Sequence, residues 1–381
     1  MNRRFFLVSG ASVAVLTAAG LGWGMTRAPR LARQPWLEAE VGQDSPLLTA
    51  LSYAVLAPNP HNMQPWRIHL LSETAFELYP NAERMLPHTD PPSRQLTIGF
   101  GGFLEVFRLA AAQLGRSVSW EFFPEGENAD ALDPDQPVAR VNLEEEGAEP
   151  DPLFSQVLAR RTNRAVFDTE RTLASDQLEA LIEAAVTPVT TLGGTLEPGE
   201  VGELRDLTSR AWAIEWNTDA TRRESIDVTR IGKAEINANP WGLSIAGPLM
   251  EALKHAGILT REAMDDPSSQ AFADSERFYD AACQSAMGYL WMVTQTNSRT
   301  DQLLAGRAWV RAHLKATQLG LAFHPLSQAL QEFEEMAGPY GEVHQRLAPE
   351  GGTVQMLVRL GYAASPAPAP REALNTKIIE L

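Results

Sequence analysis

Apolar positions first take a helical spacing at Leu47, Leu48, Leu51 and Val55, then give way to two short strand-like runs over 68–71 and 76–79 joined by a Ser-Glu-Thr turn. A long helix is predicted from about 95 to 114, with Ile98, Phe103, Leu104, Phe107, Leu109 and Ala110 on a broad apolar face. Residues 118–122 and 138–143 alternate as strands. The acidic, proline-containing stretch 144–152 is the best candidate boundary. Beyond it a helix is expected at Leu153, Val157 and Leu158 and a second over 178–185. A strand over 190–196 and a helix from about 203 to 216 follow. Residues 217–274 are poorly periodic and rich in helix breakers, which predicts a flap or lid. Helices are then predicted over 277–293 and 301–318, before a closing strand at 354–362 and a proline-rich tail.

The opening of the long helix, Gly99-Phe100-Gly101-Gly102-Phe103-Leu104, fails the dinucleotide pattern G-x-G-x-x-G because Leu104 stands at the third glycine position. Close helix packing is the expected use of these glycines.

A chain of 381 residues, 44% hydrophobic, can build one large domain or two fused ones around a sizeable core. Net charge is −16, and Arg3, Arg4, Arg27, Arg30 and Arg33 all lie within the first 33 residues, which hold no acidic residue. The body is therefore strongly acidic and should repel nucleic acid and anionic membrane. Cys283 is the sole cysteine, which rules out an intramolecular disulfide and thiolate clusters; in its small-residue helical run it reads as a buried, inert thiol. The histidines are scattered singly and suggest no metal site, and the chain has no G-x-S-x-G, H-E-x-x-H, Walker A or C-x-x-C.

At the start, Arg3 and Arg4 precede an apolar run from Phe5 to Met25, the layout of an export signal. The pair resembles a twin-arginine signal. A membrane anchor is the alternative, since such a run could span a bilayer, and no clean cleavage site follows. Residues 1–35 are thus expected to target the protein outside the cytoplasm, with a possible membrane tether.

The least generic stretch is Pro58-Asn59-Pro60-His61-Asn62-Met63-Gln64-Pro65-Trp66-Arg67-Ile68. Its prolines end the preceding helix and hold Asn59 extended, while the amides of Asn62 and Gln64 suit hydrogen bonding to a flat heterocycle. A rigid turn plugged by Trp66 is the blander reading. The stretch resembles the P-S-x-x-N-x-Q-P-W-x-F segment of the nitroreductase family, FMN enzymes of α+β fold that build flavin sites across a dimer interface. Asn59 and Pro60 replace residues that are often serine there, so hydroxyl contacts do not carry over.

Arg160-Arg161-Thr162-Asn163-Arg164 could be a solvated basic helix end. It also resembles the family's R-R-S-x-R-x-F segment, which implies that Arg160 and Thr162 hold the FMN phosphate, that Arg161 belongs to the cofactor site, and that Arg164 lies near the pyrimidine end of the flavin. The stretch from Gln318 to Gln328 resembles the L-G-L/I-x-x-x-x-P segment, which places Pro325, Leu326, Ser327 and Gln328 beside flavin N5, with Ser327 and Gln328 as the catalytic candidates. Arg371, in the proline-rich tail, maps onto a late basic residue of the phosphate site.

The order of these pieces is unusual, because the Asn62 loop precedes the arginine run by about a hundred residues. The resemblance therefore implies an Acg-like, internally duplicated fold: a degenerate half over 46–150, a second half over 151–381 with a lid insertion near 217–274, and one composite FMN site in a monomer. The expected activity is two-electron transfer with a small, flat conjugated substrate. The donor would be a quinol or redox protein if the protein is exported beyond NAD(P)H. A flavin-sequestering protein without turnover is the alternative.

Overall fold

The computed structural model describes residues 27–381. The predicted export segment falls, for the most part, outside that range. Among the described residues no helix is long and apolar enough to cross a membrane.

After a short turn at Leu31–Arg33, the chain forms α1 (Gln34–Val41) and α2 (Pro46–Ala54), the latter capped by the Ser45 hydroxyl accepting the Leu48 N–H. The hairpin β1 (Trp66–Leu70) and β2 (Ala75–Pro80) leads into the twenty-residue α3 (Arg94–Gln113), then β3 (Arg116–Phe122) and β4 (Ala139–Gly147). The second half follows with α4 (Ser175–Ala184), β5 (Thr190–Thr195) and α5 (Pro198–Asn217). Next come α6 (Asp219–Asp227), β6 (Thr229–Ile231), α7 (Gly232–Ala238), β7 (Leu243–Ile245), α8 (Pro248–His255), α9 (Arg261–Asp265) and α10 (Gln270–Gln284). The chain closes with β8 (Gly288–Thr294), α11 (Arg299–Gln318), β9 (Ala322–Pro325), α12 (Ala337–Leu347), β10 (Thr353–Gly361) and β11 (Ile378–Ile379).

The strands form two principal sheets. One runs β11-β1-β2-β4-β3 and the other β5-β8-β10-β9, while β6 and β7 make a small parallel pair. Leaving β11 aside, the two orders have the same plan: first strand, second, fourth, third, with antiparallel neighbours throughout. In each sheet a twenty-residue helix, α3 or α11, connects the second strand to the third. β11 lies parallel to β1, Ile68 opposite Ile378, so the end of the chain joins the sheet of the first half.

One expectation needs correction. Residues 277–293 are not a single helix, because α10 ends at Gln284 and residues 288–294 are the central strand β8. Strand β8 is covered on both faces, by the apolar layer around Trp309 and Met356 and by that around Tyr289 and Leu357. A strand apolar on both sides loses the alternation that would reveal it. The helix expected at 153–158 is likewise only a short 3-10 turn, Pro152–Gln156. Residues 217–274, though poorly periodic, are largely helical and pack Ile226, Ile231 and Phe272 against Trp212 and Trp216 of α5.

The two halves meet where α3 crosses α11. A Cβ on Gly101 would lie 2.0 Å from the Leu303 carbonyl oxygen, and one on Gly306 2.0 Å from that of Ile98. Backbone touches backbone at this crossing. On the neighbouring flank, a Cβ on Gly99 would meet Asn59 and Pro60 at 3.2 and 3.3 Å, so the same glycine run seats the 58–60 loop. Gly306→Ala should therefore destabilise the protein by about 1–3 kcal/mol, the usual cost of overpacking. Gly202→Ala, on α5 with nothing near its added Cβ, should be neutral or stabilising by up to ~1 kcal/mol; urea midpoints of the two variants check the contrast.

Candidate functional site

Between α2 and β1 the chain turns through Pro60–Asn62, and His61, Asn62 and Gln64 have φ of 45°, 56° and 50°. Three non-glycine residues in the left-handed region within four positions cost of order 1–2 kcal/mol each. The strain is held by hydrogen bonds. Asn59 Oδ1 accepts the Gln64 N–H at 2.8 Å, and Lys377 Nζ donates to the Gln64 carbonyl at 3.1 Å. The Gln64 side chain is fully buried and donates from Nε2 to the Pro240 carbonyl at 2.9 Å while its Oε1 accepts the Glu372 N–H at 2.9 Å. Asn62 Nδ2 reaches the carbonyls of Gly242 and Pro370 at 3.2 and 3.1 Å, and its Oδ1 accepts from Arg371 Nη1.

These contacts correct the role expected for the two amides. Neither is left free to read a flat heterocycle, because both are spent on protein groups. Instead they tie the loop to the insertion at 240–242 and to the C-terminal tail, and Asn62 holds Arg371 in place. The loop, the insertion and the tail are one assembly.

Around that assembly lies a group of arginines with no carboxylate in ion-pair range among the described residues. Arg160 and Arg371, 4% and 3% exposed, both donate to the Leu56 carbonyl, at 3.0 and 3.1 Å, and Arg371 also reaches the Ala57 carbonyl at 3.0 Å. Arg161 donates to the carbonyls of Leu158 and Arg160 and lies over the Trp36 ring, 4.7 Å from its centroid. Trp36 also approaches Arg371, at 5.6 Å, and its indole N–H is tied to the Ala369 carbonyl at 2.8 Å. Arg371 Nε and Arg33 Nε are buried without any hydrogen-bond partner.

Burial and the charges of Arg371 and Arg161 push Arg160 well below the ordinary arginine range. Burial and Arg161 bring Arg371 to about 9, and burial and Arg33 lower Arg161. Like charges crowded in a low-dielectric setting, with donors left over, form a receptor for an anion. A phosphate group fits this donor set.

Arg164 differs from these. Its side chain is open to solvent, yet desolvation lowers its pKa, so its guanidinium stands in a recess walled by protein. Buried Arg359 braces the segment that carries it, donating to the carbonyls of Asn163 and Ala165 at 3.4 and 2.7 Å and to His324 Nδ1 at 2.9 Å. That bond leaves the His324 ring proton on Nε2. Thr162 bridges to Phe323 of β9, placing the arginine run against the second sheet.

His61 and Tyr279 are near enough to Arg164 for its charge to act on both. Burial and the Arg164 charge lower His61 to about 4, and burial raises Tyr279 above its ordinary range. Pro325 ends β9, and the Leu326 N–H is spent on the Leu357 carbonyl. Ser327 opens the following turn, while Gln328 donates from Nε2 to the Tyr279 hydroxyl at 3.0 Å. Loop, arginines and the 325–328 turn therefore converge, as the motifs implied. Arg33, Trp36 and Tyr279 belong to no motif, and only isolated arginine and aromatic positions marked them in the sequence.

No family model matches the chain. A Mycobacterium tuberculosis protein whose name proposes an NAD(P)H nitroreductase is 28% identical over 349 residues, covering 86% of this chain and 89% of its own length. The M. tuberculosis protein acg, named in the same terms, is 24% identical over 342 residues, covering 86% and 93%. Among solved structures, a nitroreductase from Anabaena variabilis gives a TM-score of 0.41 at 12% identity over 81% of this chain and 82% of that one. An FMN-bound nitroreductase from Bacteroides fragilis gives 0.34 at 15% identity, covering 58% and 94%. With these relatives aligned along most of both chains, the chain is an α+β protein similar to M. tuberculosis proteins named as nitroreductases, acg among them.

Proposed function

We propose that this protein is an FMN-binding oxidoreductase that exchanges two electrons with a small, flat conjugated substrate such as a nitroaromatic or quinone. The observation that carries the reading is the carboxylate-free group of Arg160, Arg161 and Arg371, with the buried Arg371 Nε unpartnered beside a strained loop. In this reading the three guanidiniums hold the phosphate, helped by the Thr162 hydroxyl and screened from water by Trp36. Bound FMN supplies hydride chemistry at its N5. With FMN held there, Arg164 would stabilise negative charge on its pyrimidine side, because a fixed cation in a partly dehydrated recess acts far more strongly than one in water. Ser327 and Gln328 would orient reacting groups beside it.

The shared plan of the two sheets and the crossing of α3 with α11 support a fused duplication, in which the first half contributes the Asn62 loop and the second half the arginines. One composite site then works in a monomer. We also propose twin-arginine export, possible tethering through the first residues, and a quinol or redox-protein donor. Flavin sequestration without turnover is the second reading, supported by the way Asn62 and Gln64 fasten the site to the insertion at 240–242 and to the tail. Steady-state acceptor assays separate the two readings.

Two outcomes test the proposal. The purified wild-type protein should show flavin absorption in the visible, and Arg160→Met combined with Arg371→Met should weaken FMN retention roughly a hundredfold or more, the loss of two charge-assisted contacts. Retention equal to wild type would defeat it. For the donor, a water-soluble quinol analogue should reduce the bound flavin faster than NADPH does in stopped-flow absorbance; rapid reduction by NADPH alone would reverse that assignment.

A further inference from the structure

Glu215 is a buried carboxyl group that the reading above leaves without a task. It is 2% exposed on α5 and accepts a side-chain hydrogen bond from Gln331 at 2.8 Å, and Gln328 and Ser225 stand close enough to act on its titration. No arginine or lysine is paired with it among the described ion pairs. Its neighbours lead toward the recess by two routes. Gln328 connects it to the Tyr279 hydroxyl, and Ser225 Oγ lies 3.3 Å from His61 Nε2. On the far side of the imidazole ring, His61 Nδ1 is buried with no hydrogen-bond partner. The route therefore begins at an enclosed acid on α5, passes through α6 and ends at an unpartnered nitrogen on the strained loop beside Arg164.

We propose that Glu215, Ser225 and His61 form a proton-delivery chain that ends in the Arg164 recess, with Gln328 and Gln331 holding the carboxyl group in position. The inference rests on the oxidoreductase reading and adds the source of the proton that a two-electron reduction of a quinone or nitro oxygen requires. In one passage the Glu215 O–H bond breaks and the Ser225 hydroxyl oxygen takes that proton. Ser225 gives its own proton to His61 Nε2, and the proton on His61 Nδ1 passes to the substrate oxygen. Glu215 is left as a carboxylate, to be recharged from solvent, and the electron pair comes from the reduced flavin. His61 stays neutral throughout, because Arg164 and burial oppose an imidazolium.

The charges around Glu215 favour a titration near neutrality. Burial and the neighbouring Glu224 of α6 raise it to about 7, against the hydrogen bonds from Gln331, Gln328 and Ser225, which favour the carboxylate. Tyr279 of α10 stands beyond Gln328 as a neutral phenol, and Arg164 acts on both Tyr279 and His61. The group is thus protonated below about pH 7, where it can donate, and charged above it.

Glu215 lies on the same helix as Trp212 and Trp216, whose rings stack 5.2 Å apart. Flavin-loaded full-length protein should therefore show a tryptophan-fluorescence inflection near pH 7 that Glu215→Gln abolishes and Ser225→Ala keeps. In rapid mixing of the reduced protein with 1,4-benzoquinone, the wild-type rate should fall as pH rises through about 7; Glu215→Gln should flatten that limb and slow the reaction at pH 6 by roughly a hundredfold, the usual scale of general acid catalysis. Ser225→Ala and His61→Asn should slow it with flavin content unchanged, and they carry the test if Glu215→Gln does not fold by circular dichroism. An inflection that survives Glu215→Gln, or a pH limb unchanged in all three variants, overturns the proposal. A wild-type protein without a visible flavin band would instead defeat the underlying oxidoreductase reading.

Discussion

The contact between Gly101 and Gly306 is the constraint on which the rest of the molecule depends. Two helices of twenty residues, one from each half, approach until backbone meets backbone, and no residue with a Cβ fits at either position without displacement. The crossing fixes how the two sheets face one another. Because Gly99 on the same helix seats Asn59 and Pro60, it also fixes where the strained loop presents itself. Packing and site geometry share one origin.

From that crossing the site follows as a problem of unbalanced charge. Arg160 and Arg371 come from positions far apart in the chain, yet both point at the Leu56 carbonyl. Some arginines elsewhere are paired with acids. Glu105 alone, at 1% exposure, receives Arg108, Arg307 and Arg311, and burial is offset there by three opposite charges. Such buried networks are satisfied ones. The carboxylate-free group differs from that network: around Glu105 the fold answers three arginines with an acid, and around the 56–64 loop it supplies none.

The insertion between β5 and β8 joins the site through polar ties rather than through a single hydrophobic face. Glu224 accepts the N–H groups of His88 and Thr89, the Asn62 and Gln64 amides reach Gly242 and Pro240, and Asn237 Oδ1 accepts the Ala32 N–H. Its own core of stacked Trp212, Trp216 and Tyr279 gives it rigidity. Its first and last helices, α5 and α10, also pack Val201, Leu204, Leu207, Ala211 and Cys283 against Tyr289 and Leu357 of the second sheet.

Much of this was legible in the residues themselves. Helix α3, the hairpin β1–β2 and helix α11 followed from periodicity, the buried Cys283 from its small-residue setting, and the convergence of the Asn62 loop with Arg160, Arg164 and Arg371 from motif resemblance. Local signals suffice where one face of an element is wet and the other dry, since the alternation is then written in the sequence. They failed at β8, where both faces are dry, and at Asn62 and Gln64, whose amides could serve a ligand or the backbone equally well. Only the tertiary structure decided that choice, because the competing partners, Pro240, Gly242 and Glu372, lie some 180 to 310 residues away. The same holds for Glu215: its composition says carboxylate, and its protonation near neutrality exists only because folding removes water and brings no cation to replace it.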